Sequence, residues 1–74
     1  MSLSLHLNGE LRPFPNLEEG SPIADLVSTL GLKADRIAVE QNGEIVPRSQ
    51  WPWTLLKEKD RVEVVHFVGG GSFE

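Results

Sequence analysis

The residue run with the most chemical content is FVGGGSFE, positions 67–74. Gly69, Gly70 and Gly71 follow directly on the apolar pair Phe67 and Val68, and Ser72, Phe73 and Glu74 come after them. Glycine has no Cβ, so such a run can follow backbone paths closed to other residues and enter a slot too narrow for any side chain. The chemistry this suits is presentation of a glycine carboxyl group. An enzyme that activates a carboxylate must bring it to the α-phosphate of ATP in a closed, water-poor site. Contacts made by the rest of the protein, remote from the reaction, supply the positioning. A flexible linker is the plainer alternative, although only Ser72, Phe73 and Glu74 are there for it to join. A phosphate-cradling loop would need a following helix and normally a lysine, and neither follows the glycines.

Other residues able to do chemistry are sparse. His6 and His66 are the only histidines, and two histidines without a third ligand make a poor metal site; no metal is expected. Glu18, Glu19, Asp25, Glu40 and Glu44 are scattered over loops, a helix and strands, with no pair forced into the spacing that acid–base work requires. Trp51 and Trp53 flank Pro52. At least one of them is expected beneath the loop against the core, because large aromatics dominate burial in small domains; an exposed one would suit an interface. Cysteine is absent, which excludes disulfides, thiolate zinc sites and a cysteine nucleophile. With no nucleophile–base pair and no cofactor motif, the chain is not expected to be an enzyme.

The chain has 74 residues, enough for one domain. A domain of this size buries only about 60% of the surface its unfolded chain exposes, which leaves no room for a deep substrate pocket. The net charge is −4 and the Lys and Arg residues do not cluster. Nucleic-acid binding, which needs a basic face, is therefore not expected, whereas docking onto a basic patch of another protein is favoured. No basic-then-apolar leader and no long apolar run is visible, so the expectation is a cytoplasmic protein without membrane contact, and a monomer when alone.

The elements that must position the glycines follow from periodicity. LSLHL alternates, placing Leu3, Leu5 and Leu7 on one face of a strand. Asn8-Gly9 signals a type I′ hairpin, and the return strand ELRPF contains Pro13, which suits a sheet edge. SPIADLVSTLG reads as the main helix. Ser21 is placed at its N-cap and Pro22 at its first position, Ile23, Leu26, Val27 and Leu30 form one apolar stripe, and Gly31 is the left-handed stop. Ile37 and Val39, then Asn42-Gly43, then Ile45 and Val46 give a second hairpin. RSQWPWTLLKEKD reads as a loop with a short helical turn after Ser49, Leu55 and Leu56 closing the bottom of the core. The last strand, RVEVVHFV, is apolar on both faces at Val64, Val65, Phe67 and Val68, the pattern of a central strand covered on both sides. The order β-β-α-β-β-β, with the last strand parallel to the first and the helix as crossover, is an α+β, β-grasp arrangement. Residues 1–68 then form the domain, and 69–74 a flexible glycine-rich tail projecting from it.

IAVEQNGEIVPRSQW at 37–51 and LKEKDRVEVVHFVGGG at 56–71 closely resemble the ThiS family of thiamine-biosynthesis sulfur carriers, and the front half fits that family too. The resemblance implies a ubiquitin-like β-grasp fold, a mixed sheet of about five strands crossed by one main helix. It also implies a role as a protein substrate with no cofactor of its own. In that family an E1-like adenylating enzyme, ThiF, adenylates the C-terminal glycine with Mg-ATP, and the resemblance implies the same here. The glycine is then converted to a thiocarboxylate with sulfur from a persulfide donor, and thiazole synthase, ThiG, receives that sulfur. Position by position, Gly70 and Gly71 match the family's terminal Gly-Gly, Gly69 the small residue before it, and Phe67 and Val68 the apolar contacts with the activating enzyme. The departure is Ser72, Phe73 and Glu74, since family members commonly end at the glycines. The expectation is a precursor cut between Gly71 and Ser72, with a zinc-dependent JAMM-type protease as the candidate and cleavage after Gly70 as a variant. A carrier for molybdopterin or cysteine synthesis shares the same tail chemistry, and a β-grasp protein-binding module is the alternative from another class.

Overall fold

Two Asn-Gly turns set the sheet. In the computed structural model, which describes residues 2–66, Asn8 and Gly9 have φ of 51° and 85°, and Asn42 and Gly43 have 52° and 88°. Both turns thus have the two successive positive φ values of type I′, whose twist matches that of the flanking strands. The first joins strands β1 (Leu3–Leu7) and β2 (Glu10–Phe14), antiparallel from Leu3 opposite Phe14 to Leu7 opposite Glu10. The second joins β3 (Ile37–Gln41) and β4 (Glu44–Val46), with Val39 opposite Val46. Strand β5 (Arg61–His66) lies between the hairpins, parallel to β1 and antiparallel to β3. The sheet order is β2-β1-β5-β3-β4: an edge position for the Pro13 strand and a central one for β5, both as the sequence predicts.

One face of the sheet carries the core. Leu3, Leu5 and Leu7 of β1, Ile37 and Val39 of β3, and Val62 and Val64 of β5 are buried with Ile23, Leu26 and Val27 of helix α1 (Ile23–Leu30). Leu30, the last residue of the predicted stripe, packs partly buried against them. The helix ends as expected at Gly31, with φ 72° and ψ 23°, a left-handed conformation that costs glycine little.

Its start differs from expectation. Ser21 does not cap the helix and Pro22 is not its first residue: Pro22 is the N-cap, extended at φ −77° and ψ 159°, with no side-chain cap bond. The cause is a long-range pairing. Pro22 forms a β-bridge with Leu55, and the Ser21 carbonyl accepts the Leu56 N–H at 2.8 Å. That draws the chain straight, and the Ser21 hydroxyl instead accepts the Glu18 N–H at 3.1 Å.

Three further expectations are corrected. Strand β5 is central but not covered on both faces, because the only α-helix among the described residues lies on one side: Val65 is 54% exposed. Leu55 and Leu56 do not both close the core, since successive residues of an extended segment point apart; Leu56 is buried and Leu55 is 54% exposed. The short helical turn in the following loop spans Arg48–Gln50 rather than starting after Ser49, and a second such turn at Ala34–Arg36 has no counterpart in the sequence reading. The tryptophans divide as anticipated. Trp51 is 4% exposed and donates its indole N–H to the Val46 carbonyl at 2.8 Å, whereas Trp53 is 75% exposed. Among the described residues no helix is long and apolar enough to cross a membrane. The domain boundary expected at residue 68 lies outside the described residues.

Candidate functional site at the root of the C-terminal tail

The residues singled out for chemistry, Phe67, Val68, Gly69, Gly70, Gly71 and Ser72, lie outside the described residues. What the structure does define is the strand they continue from and how it is held. On one side, His6 and Leu7 of β1 lie opposite Arg61 and Val62. The His6 N–H reaches the Asp60 carbonyl and the Asn8 N–H the Val62 carbonyl, both at 2.9 Å. There β1 turns away into its hairpin, and the Asn8 side chain takes over the pairing. Its Oδ1 accepts the Val64 N–H at 2.8 Å and its Nδ2 donates to the Val64 carbonyl at 3.3 Å.

The other side of β5 repeats the device. Five residue pairs join it to β3, from Ile37 opposite His66 to Gln41 opposite Val62. At the turn the Asn42 N–H donates to the Arg61 carbonyl at 2.7 Å, and the Asn42 Oδ1 accepts the Arg61 N–H at 3.0 Å. Asp60, one residue before the strand, accepts from the Lys57 N–H at 2.9 Å, from Gln41 Nε2 at 3.0 Å and from Asn42 Nδ2 at 3.1 Å. Each hairpin asparagine therefore does two jobs, adopting the left-handed turn and closing the hydrogen bonds of the central strand. The sequence signal at Asn42-Gly43 points only to the first.

The histidines are not brought together. His6 lies opposite Arg61 while His66 lies opposite Ile37, five residues or roughly 16 Å further along the strand. Among the described residues no three His, Cys, Asp or Glu side chains form a metal-holding group.

The open face of the sheet, away from α1, has a layout that periodicity alone does not reveal. Register places Val65 beside Ala38 at the end from which the tail continues. In the next row Glu63 lies opposite Glu40, and Glu40 opposite Ile45. Beyond them Arg61 lies beside His6, and His6 beside Leu11. Ile45, Val65 and Leu11 are all exposed.

A mixed five-stranded sheet crossed by one helix, with the last strand central and parallel to the first, is a ubiquitin-like β-grasp domain. Residues 5–71 match the ThiS family, a span that reaches the third glycine, and the chain belongs to that family. A crystal structure of the thiamine biosynthesis protein ThiS from Geobacter metallireducens superposes with a TM-score of 0.79 at 33% identity, covering 93% of this chain and 100% of that one. The sulfur carrier protein ThiS of Bacillus subtilis is 39% identical over 49 residues, 66% of this chain and 74% of its own length. A thiazole synthase of Magnetococcus marinus is 41% identical over 70 residues, 95% of this chain, and one of Paramagnetospirillum magneticum is 37% identical over the same length. The chain spans about a fifth of the length of these two thiazole synthases, 21% in each case.

Proposed function

We propose that this protein is a sulfur carrier of thiamine biosynthesis whose working group is the carboxyl of Gly71. The observation that carries this reading is the family match extending through Gly71, together with a sheet that grips β5 on both edges just before the tail. A strand held in that way is a firm support up to His66, the last described residue, and supports a reading in which an enzyme bound to the domain receives the glycines from a fixed point.

With Ser72 attached, the Gly71 carbonyl carbon belongs to a peptide bond and has no carboxylate to activate. Hydrolysis of the Gly71–Ser72 bond, for which a JAMM-type protease is the candidate, releases Ser72, Phe73 and Glu74 and exposes the carboxylate. An E1-like enzyme of the ThiF kind then joins one carboxylate oxygen to the α-phosphate of Mg-ATP, with pyrophosphate leaving. The outer sulfur of a persulfide donor attacks the acyl-adenylate carbonyl and AMP leaves; a second thiol then cleaves the resulting acyl disulfide, leaving the thiocarboxylate and a disulfide between donor and thiol. The recipient is thiazole synthase, a reading supported by the two thiazole synthases that contain a segment similar to nearly the whole of this chain. The protein itself is a substrate and not a catalyst, working as a monomer between partners in the cytoplasm.

The test is ATP–pyrophosphate exchange by the activating enzyme of the same organism, supplied with the chain ending at Gly71 or at Glu74. Exchange with the first and none with the second is expected. Equal exchange with both, or none with either, contradicts the reading.

A further inference from the structure

The triplet Asn-Gly-Glu occurs twice, at 8–10 and 42–44, and both copies form the same turn, with φ of 51° at Asn8 and 52° at Asn42. Glycine after asparagine exposes the asparagine side chain to attack by the next peptide nitrogen, since no Cβ shields that nitrogen. Ring closure brings the nitrogen round to the side-chain Cγ, at positive φ and ψ of about −120°, the first central position of a type II′ turn. In a type I′ turn ψ is about +30° at that position, and the glycine nitrogen points away from the side chain. Each turn thus holds its asparagine in an unreactive geometry. Reaction waits on a flip of the Asn-Gly peptide and on release of the side chain.

The two copies differ in what holds that side chain. Asn8 bonds to both backbone groups of Val64, and both bonds are partly buried, so breaking them strands polar groups away from water. Its hairpin runs through five residue pairs to the buried Phe14. Asn42 bonds to Asp60 Oδ1 at 3.1 Å and to the Arg61 N–H at 3.0 Å in exposed positions, where water can replace either partner. Its hairpin has three pairs, and no residue of β4 is fully buried. Opening at that end is a local event of low cost.

We infer that Asn42 is a self-modification site of the folded protein, deamidating through a cyclic imide, while Asn8 in the same triplet is shielded. The Gly43 nitrogen bonds to Asn42 Cγ, the Cγ–Nδ2 bond breaks, and Nδ2 leaves as ammonia with the proton that the Gly43 nitrogen gives up. Water then opens the imide at either carbonyl, giving aspartate or isoaspartate. Both products lose the amide that donates to Asp60. Aspartate also sets a carboxylate against that of Asp60, and isoaspartate adds a methylene to the main chain of the turn. Asp60 accepts from Lys57 and Gln41 as well, directly before β5, so the damage reaches the start of the central strand. The reaction needs no partner and is independent of sulfur transfer.

The experiment follows both sites in one wild-type sample, kept warm at mildly alkaline pH, by peptide mapping that separates aspartate and isoaspartate from asparagine. In concentrated urea the two sites should react at comparable rates, because both asparagines precede the same Gly-Glu pair. In the folded protein both should slow, with Asn42 reacting about tenfold faster than Asn8. Asn42→Asp, which carries one of the two products, should unfold at a lower urea concentration than wild type. A ratio of rates in the folded protein no greater than that in urea overturns the assignment. So does a folded chain in which Asn42 stays intact over the time that both sites react fully in urea. An Asn42→Asp variant as stable as wild type overturns the consequence for Asp60.

Discussion

The side chain of Asn8 pairs with the backbone of Val64 as a strand residue would, accepting its N–H at 2.8 Å and donating to its carbonyl at 3.3 Å. The contact continues the pairing of β5 past the point where β1 turns away. Both bonds are partly buried, so leaving their backbone groups unpaired is costly.

Asn8→Asp tests that contact. The carboxylate keeps an acceptor for the Val64 N–H but sets an oxygen against the Val64 carbonyl, and a loss of about 1–3 kcal/mol is expected. Asn8→Gly, which adopts φ of 51° without strain but lacks the amide, should lose about 1 kcal/mol or more. Urea denaturation measures both; a glycine variant as stable as wild type would show that only the turn matters.

Asp60→Ala should be among the most damaging substitutions of a loop residue in this protein. It strips the acceptor from the Lys57 N–H, Gln41 Nε2 and Asn42 Nδ2, and a cost of about 2 kcal/mol follows from three groups left short of a partner. For a domain of this size that lowers the unfolding midpoint by roughly 8–16 °C. A shift of a degree or two would mean that water replaces the carboxylate freely.

The two tryptophans should behave oppositely. Trp51→Ala opens a hole in the core and is expected to cost about 3–5 kcal/mol, while Trp53→Ala should fall within about 0.5 kcal/mol of wild type. In Trp53→Phe, the remaining Trp51 emission should be blue-shifted and poorly quenched by acrylamide, as its 4% exposure implies. Efficient quenching would contradict the burial.

Much of this was legible in the sequence, for a physical reason that also marks where legibility stopped. Alternation at Leu3, Leu5 and Leu7, the Asn-Gly pairs and the Ile23–Leu30 stripe are local patterns, and each formed the element it predicts. Ser21 carried a sound local capping signal that a distant pairing with Leu55 and Leu56 overrode. Val65 read as covered because a β-branched run does not say how many layers the domain has, and the described residues supply a single helix layer. The Glu40–Glu63 juxtaposition depends on register between two strands distant in sequence, which periodicity within either strand does not specify. The glycine tail was legible as a motif because its meaning lies in residue type rather than in packing.

Gly71→Pro tests that motif directly. The ring fixes φ and adds bulk in a run whose proposed use depends on having no side chain, so thiocarboxylate formation by the activating system should be abolished while the unfolding midpoint stays at the wild-type value. Normal thiocarboxylate formation by this variant would remove the role assigned to the glycines.

The most direct measurement is the intact mass of the protein purified from its own cells under high thiamine demand. The account predicts a chain lacking Ser72, Phe73 and Glu74, part of it carrying sulfur in place of one carboxyl oxygen at Gly71. A chain that still ends at Glu74 throughout, with no sulfur exchange, would contradict it and leave a β-grasp domain that binds partners without ever being activated.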